Sequence, residues 1–159
     1  MKRLAFLLAF FLLSTAAFAL NQSIELKGIK TVNVMVSVLP DDLVNDRVDK
    51  EALTTTLKLA AKTAGLTVLS QGQYDDTIPT ISLRVSAIGE PNGRFYATGI
   101  VLECLDNVYN NRIAGPFTAI IWTRNLLQLL GKVDLSRVPE GEKKLIDLLL
   151  NDYVAANPK

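Results

Sequence analysis

Apolar and polar residues alternate along two stretches of this chain, which is the pattern of half-buried β-strands. Valine occupies every second position between Thr31 and Val38, and aliphatic residues do the same over residues 80–88. Each stretch predicts a strand with one face on a core and the other in water. A turn at Gly89–Gly93, which combines Pro with Asn-Gly, leads into Arg94–Leu105, the predicted antiparallel partner of the second strand.

Two further stretches repeat their apolar residues with the period of an amphipathic helix. The first covers residues 48–64, with Asp46 or Asp49 as its cap and Gly65 as its left-handed stop. The second covers residues 139–156 and begins with a proline, which the first helical turn tolerates because the missing amide has no partner there. Its predicted buried stripe consists of Leu145, Ile146, Leu149, Leu150, Tyr153 and Val154.

The remaining segments have weaker patterns. In order, they are predicted as a short strand over 66–69, a polar loop over 70–79, a hairpin turn over Asn107–Arg112 and a strand over Phe117–Thr123. Asn125–Leu130 is short and apolar, and we expect it to form a helical turn that ends at Gly131.

Strands joined by tight turns, with only two long helices, predict an α+β fold rather than a doubly wound parallel sheet. We expect a two-layer sandwich, in which a mostly antiparallel sheet of about four to five strands carries both long helices on one face. Because alternating strands keep one polar face, the other face is expected to stay open to water or to a partner. This open face is the first place to look for a binding site.

The amino-terminal residues have the three parts of a secretory signal peptide. A basic start at Met1–Arg3 precedes an apolar run over residues 4–13, and Ala17–Ala19 has the small-x-small pattern of a cleavage site. The apolar run is shorter than the ~20 residues that span a bilayer, so an uncleaved membrane anchor is the weaker alternative to cleavage. The mature chain is not expected to cross a membrane. The sequence therefore predicts a signal peptide over 1–19 and a single periplasmic domain over 20–159.

Charge and cysteine content narrow the possible partners and modifications. Once Lys2 and Arg3 are removed, acidic and basic residues nearly balance, and a nucleic-acid partner is not expected because phosphate binding needs concentrated positive charge. Leu20 follows the cleavage point where a lipoprotein would carry cysteine. Cys104 is the single cysteine, so no internal disulfide can form. Its place among alternating apolar residues predicts a buried side chain rather than a redox thiol.

No catalytic constellation is visible. The chain contains no histidine, which removes the commonest general base and the usual zinc ligand. The acidic residues at 41–49 and the pair Asp75 and Asp76 indicate turns and helix caps, because the spacing of a calcium loop is absent. We therefore predict no enzyme, no cofactor and no metal. A histidine-free enzyme that uses Asp or Tyr groups is a further alternative, and a deep polar cleft that gathers Asp75, Asp76 and a basic residue would favour it.

Four residues are candidates for partner binding. Tryptophan and arginine are enriched at the energetic centres of interfaces, so Trp122 and Arg124 are candidates for an exposed anchor. The alternative is that Trp122 completes a core-facing strand. Arg84 and Glu103 are expected on the outward face of neighbouring strands, where a cross-strand ion pair is the simpler interpretation.

The order of elements, with Ala64-Gly65-Leu66 closing the first helix, resembles the accessory lipoproteins of lipopolysaccharide assembly and related periplasmic auxiliary proteins. The resemblance implies an accessory role in the envelope and transfers no functional residue. The leading hypothesis is a non-enzymatic periplasmic adaptor that binds an envelope protein or lipid. The alternative is a periplasmic carrier of a lipid or small apolar ligand, held in a cavity between sheet and helices.

Export makes a direct prediction about the mature amino terminus. We expect cleavage after Ala19, so the intact mass of protein from the periplasm should correspond to residues 20–159. Ala19→Arg should block cleavage, because signal peptidase accepts only small residues there, whereas Ser23→Arg beyond the cut should not. Mature protein recovered from the cytosol with Met1 attached would contradict the prediction.

Overall fold

A computed structural model of the protein describes residues 25–39, 48–70, 72–89, 95–110, 112 and 114–158. The predicted leader, the possible cap Asp46 and residues 90–94 of the turn region lie outside them. In chain order the elements are β1 (Thr31–Leu39), α1 (Lys50–Thr63), β2 (Thr67–Val68), β3 (Thr80–Gly89), β4 (Phe95–Asn110), β5 (Gly115–Gly131), a 3₁₀ helix (Lys132–Arg137) and α2 (Val138–Ala156). The described strands form one five-stranded sheet in the order β2-β1-β3-β4-β5.

The sheet is mixed, so the predicted α+β fold is confirmed but the mostly antiparallel sheet is wrong. β1 runs parallel to both β2 and β3, whereas β3, β4 and β5 are antiparallel neighbours. The reason is the connection through α1, which returns the chain to the starting end of β1. The next strand, β2, therefore points in the same direction as β1, and β3 enters the sheet from that same end on the other side of β1.

The last strand is much longer than the sequence suggested, and the helical turn predicted over Asn125–Leu130 is wrong. Residues 125–131 instead continue β5 and pair with residues 95–101 of β4. Antiparallel pairing satisfies the backbone, and Leu126 and Leu130 reach the core from this strand. Backbone pairing and core burial together outweigh the local tendency of this short apolar run to form a helical turn.

A β-bulge in β5 explains why residues on both sides of its first half are apolar. Cys104 pairs with Trp122, and the next residue of β4, Leu105, pairs with Ile120, which leaves Ile121 without an opposite residue. The extra residue reverses the alternation of β5 at this point. No single two-residue period can therefore describe the strand.

Both long helices lie on one face of the sheet, where they contact each other and the strands. The apolar core fills the space between the layers, and its largest fully buried side chains include Trp122, Leu53, Leu57, Ile81, Leu83, Ile100, Leu102 and Leu149. The predicted stripe of α2 is confirmed for Leu145, Ile146 and Leu149, which are buried, but Val154 is 57% exposed. None of the described helices has the length and apolar composition needed to cross a bilayer.

Helix α1 begins and ends as its sequence predicts. The Oδ1 atom of Asp49 accepts hydrogen bonds of 2.9 Å from the amides of Glu51 and Ala52, which satisfies two of the free amides of the first turn. After the helix, Gly65 adopts φ 96°, and buried Leu66 follows it. The cap and the stop fix where α1 lies along β1.

Helix α2 approaches the sheet closely and carries a buried carboxyl group. A Cβ atom on Gly141 would lie 2.6 Å from Cδ1 of Ile100, so a larger residue here would force the end of that side chain to move. The neighbouring Glu142 is 0% exposed, and neither of its carboxylate oxygens has a hydrogen-bond partner among the residues that the structure describes. Burial raises the pKa of Glu142 to about 7, because the charged form loses its hydration.

Glu142 should make stability depend on pH. Its pKa is about 7 when folded and near 4.5 in its ordinary state, so the folded protein binds the proton more tightly than the unfolded chain does. The free energy of unfolding should be highest below the lower value and fall by on the order of 1–3 kcal/mol as pH rises through about 7. Glu142→Gln should flatten this slope in urea titrations between pH 4 and 8, while Glu140→Gln, on the exposed side of the helix, should keep it. An unchanged slope in Glu142→Gln would contradict the assignment.

Candidate functional site

The face of the sheet opposite the two helices carries a polar centre. Arg84 on β3 and Glu103 on β4, both candidates from the sequence, meet there with 3.3 Å between Nη2 and Oε2. The arginine side chain is 51% exposed and the glutamate side chain 11%, so water screens the pair. A pair of this kind contributes about 0–1 kcal/mol, and it orients two charges without anchoring the fold.

At one end of this open face, five large apolar side chains stand in water: Leu39, Ile88, Phe95, Leu127 and Leu129. We call this group the apolar patch. It is contiguous across the strands, because Ile88 and Leu129 flank Ala97 of β4 on opposite sides. The exposed fractions of Ile88, Leu127 and Leu129 are 80%, 79% and 76%. Single exposed apolar residues are ordinary, but a contiguous group marks an interaction surface.

The sequence reasoning missed Leu127 and Leu129, because it predicted a helical turn there. The spacing contained no clear signal, because leucine occupies positions 126, 127, 129 and 130 and so falls on both faces of a strand, while polar Gln128 shares a face with Leu126 and Leu130. The deciding information was the length of β4, which extends far enough to pair with this segment. A single sequence does not reveal that partner.

Trp122 and Arg124 lie on the other face of the sheet, beneath the helices. Trp122 is 0% exposed, and its Nε1–H donates to Oδ2 of Asp152 on α2 at 2.9 Å. The guanidinium of Arg124 donates to the same oxygen at 3.1 Å and lies 5.2 Å from the centre of the Trp122 ring. Trp122 is therefore not an exposed anchor. Together with Arg124 it ties α2 to β5.

A cleft of about 320 Å³ opens at the opposite end of the open face from the apolar patch. Tyr74, Asp76 and Phe117 contribute to its lining, and no lysine or arginine is among the lining residues that the structure describes. Asp75 instead accepts hydrogen bonds from the hydroxyl and the amide of Thr77, which hold its pKa below the ordinary value. Among the described lining residues, the cleft does not bring Asp75 and Asp76 together with a basic group.

A larger groove of about 660 Å³ runs along the outer edge of β1. We call it the edge groove, and the lining residues that matter here are Val34, Val36, Lys50, Lys58, Ser70 and Tyr74. Helix α1 forms one wall, and the chain that follows β2 forms the other. Sequence reasoning had predicted this chain only as a polar surface loop.

One apolar cavity between the sheet and α2 measures about 10 Å³, and Cys104 and Leu149 are among its described lining residues. That volume accommodates about one water molecule and no acyl chain. Cys104 is buried as expected, and burial raises its pKa to about 12, so the thiol stays protonated. Among the described residues, no group of three or more possible ligands could hold a metal ion.

Comparison with known proteins reveals only distant structural likeness. No protein-family model matches the chain, and no curated protein matches its sequence. The PelC dodecamer from Paraburkholderia phytofirmans is 14% identical, with 78% of this chain and 88% of that chain covered, at a TM-score of 0.42. A crystallised uncharacterized protein is 15% identical, with 77% and 91% covered, at 0.41. A minor lipoprotein from Acinetobacter baumannii is 10% identical, with 81% and 87% covered, at 0.32. Likeness at this level assigns neither a family nor a function.

The ion pairs Arg124–Asp152 and Arg84–Glu103 should contribute very differently to the free energy of unfolding. Asp152→Ala should lower the free energy of unfolding by about 1–3 kcal/mol, because it leaves the buried indole N–H of Trp122 without its acceptor. Asp152→Asn, which keeps an acceptor oxygen, should recover part of this loss. Arg84→Ala should change the free energy by about 1 kcal/mol or less. Equal losses in Asp152→Ala and Arg84→Ala, measured by urea unfolding at neutral pH, would contradict this distinction.

Proposed function

We propose that this protein is a non-enzymatic accessory protein of the cell envelope that binds another envelope protein through its apolar patch. The single observation that carries the proposal is the exposure of Ile88, Leu127 and Leu129 around Ala97 and Gly99 of β4, on a sheet face that the two described helices leave uncovered. The envelope location depends on the predicted signal peptide.

The energetics of the patch support a binding role. Full burial of one leucine side chain stabilises a complex by about 1.5–3 kcal/mol, and the patch offers several such side chains on a backbone that is already ordered. They project from paired strands, so their positions are already set before a partner arrives. Preorganisation of this kind raises affinity, because less freedom is lost on binding.

The surroundings of the patch match the usual anatomy of a protein interface. An apolar centre flanked by polar groups is the common arrangement, and the Arg84–Glu103 pair lies farther along the same face. The partner surface should therefore be apolar in its middle and carry hydrogen-bonding groups at the end that faces Arg84. An envelope protein with such a surface fits this chemistry better than a bilayer, because the described patch lies on a sheet rather than on a protruding amphipathic helix.

The proposal predicts that the patch, and not exposed leucine in general, determines partner recovery. The double variant Leu127→Ser/Leu129→Ser should lose the partner, with an affinity at least about tenfold weaker, since every 1.4 kcal/mol lost is a factor of ten. The matched control is Leu59→Ser on α1, where the leucine is 65% exposed but lies away from the patch. Cross-linked complexes from envelope extracts are identified and quantified by mass spectrometry. The affinity of the wild type and of each variant is then measured with the purified partner.

Two outcomes would overturn the proposal. The first is recovery of the same envelope proteins in the same amounts by the wild type and the double variant. The second is a wild type that binds liposomes or assembles with its own copies through Leu127 and Leu129, as shown by flotation or analytical ultracentrifugation. Thermal unfolding of both variants should match the wild type within about 0.5 kcal/mol, because the replaced side chains are already in water.

A further inference from the structure

One edge of the sheet is left largely unpaired. β2 contributes only two pairs to β1, at Thr31 and Val32, and the amide of Leu69 then donates to the carbonyl of Val32. From Val34 to Leu39, no described residue pairs with β1 on this side. About six residues at ~3.3 Å each leave an open edge of roughly 20 Å.

The direction of the backbone groups follows from the pairing on the other side. The amide of Asn33 donates to the carbonyl of Pro79, so the backbone groups of Asn33 point toward β3. Neighbouring residues of a strand point their amide and carbonyl groups to opposite sides. The backbone groups of Val34, Val36 and Val38 therefore point away from β3, to the open edge.

The edge groove gives this row of donors and acceptors a bounded space. Its volume of about 660 Å³ lies within the range of ligand sites, and Val34 and Val36 of β1 line it together with Thr54 of α1 and Ser70 beyond β2. A row of backbone donors and acceptors at strand spacing is complementary to another extended backbone. We propose that the edge groove binds an extended polypeptide segment of a partner protein, which adds to β1 as the new edge strand.

The charge of the helix wall narrows the sequence of this segment. Lys50, Glu51 and Lys58 of α1 all line the groove, which leaves the wall with an excess of positive charge. Side chains of an added strand alternate between its two faces, so every second one faces α1. The segment should carry acidic or hydroxyl side chains at those positions.

This site goes beyond the proposed function, because it lies on a different surface from the apolar patch and takes a different kind of ligand. Its failure would leave the patch untouched. If both surfaces are occupied at once, the protein joins two components, one by its sheet face and one by its sheet edge.

The test starts from ten-residue random peptides displayed on phage and selected on the full chain. Enriched peptides should alternate, carry acidic residues and bind as synthetic peptides. Two N-methylated forms of the peptide are then compared, one methylated at the odd amides and the other at the even amides. The form whose methyl groups replace the donors to β1 should bind about tenfold more weakly or worse, and the other form should bind nearly as well as the unmodified peptide, because the side chains stay in place in both. Hydrogen exchange should slow at Val34, Val36 and Val38 when the unmodified peptide binds.

Protein variants locate the site. Ser70→Trp should block the groove, and Lys50→Glu/Lys58→Glu should weaken an acidic peptide by about five- to tenfold. Lys143→Glu/Lys144→Glu makes the same change of charge on the exposed side of α2 and should leave peptide binding unchanged. Leu127→Ser/Leu129→Ser should also bind the peptide normally, which separates this site from the patch.

Three results would overturn the proposal. One is a selection that enriches no peptide sensitive to Ser70→Trp. Another is equal binding of the unmodified peptide and both N-methylated forms, which would assign recognition to side chains alone. The third is a concentration-dependent dimer of the wild type that Ser70→Trp abolishes, because the groove would then belong to a second copy of this chain.

Discussion

The arrangement of this protein depends on one constraint: two helices cover a single face of a sheet whose strands differ greatly in length. Burial of the apolar side chains between these layers supplies the main driving force for folding. The same packing leaves the second face of the sheet without a covering layer of its own. The surfaces discussed above are consequences of this one-sided packing and of the unequal strands.

Strand length determines where each surface appears. β2 has 2 residues beside the 9 of β1, so most of the β1 edge lies beside no strand of the described residues. β5 has 17 residues and β4 has 16, whereas β3 has 10, so the outer hairpin extends beyond the rest of the sheet. The extension lies beyond Thr80 of β3, whereas the apolar patch occupies the opposite end, where β3, β4 and the last part of β5 end together.

Burial also separates side chains of similar chemistry into different roles. Arg84 and Glu103 form an ion pair on the open face, where water weakens it. Arg124 and Asp152 form another beneath α2, and there the carboxylate also accepts from the buried indole of Trp122. The carboxyl group of Glu142 meets no such partner in the described part of the chain, and burial makes it hold its proton more tightly instead. The environment, and not the residue type, decides whether a charge is displayed, paired or neutralised.

The sequence by itself determined the elements whose pattern is local. The alternation of 31–38 and 80–88 and the helical stripes of α1 and α2 depend on the period of each element, and Asp49 and Gly65 act through their nearest neighbours. Burial of Cys104 also followed from its apolar neighbours along the strand. The predicted leader at 1–19 has the same local basis and stays a prediction.

Only the tertiary structure decided the features that depend on distant partners. The parallel pairing of β1 with β3, the strand form of residues 125–131 and the bulge at Ile121 all require knowing which segments lie side by side. The same holds for Trp122, whose place beneath α2 depends on an acceptor 30 residues away, at Asp152. Local periodicity contains no information about such pairs, because hydrogen bonds between strands and contacts between layers join residues far apart in the chain.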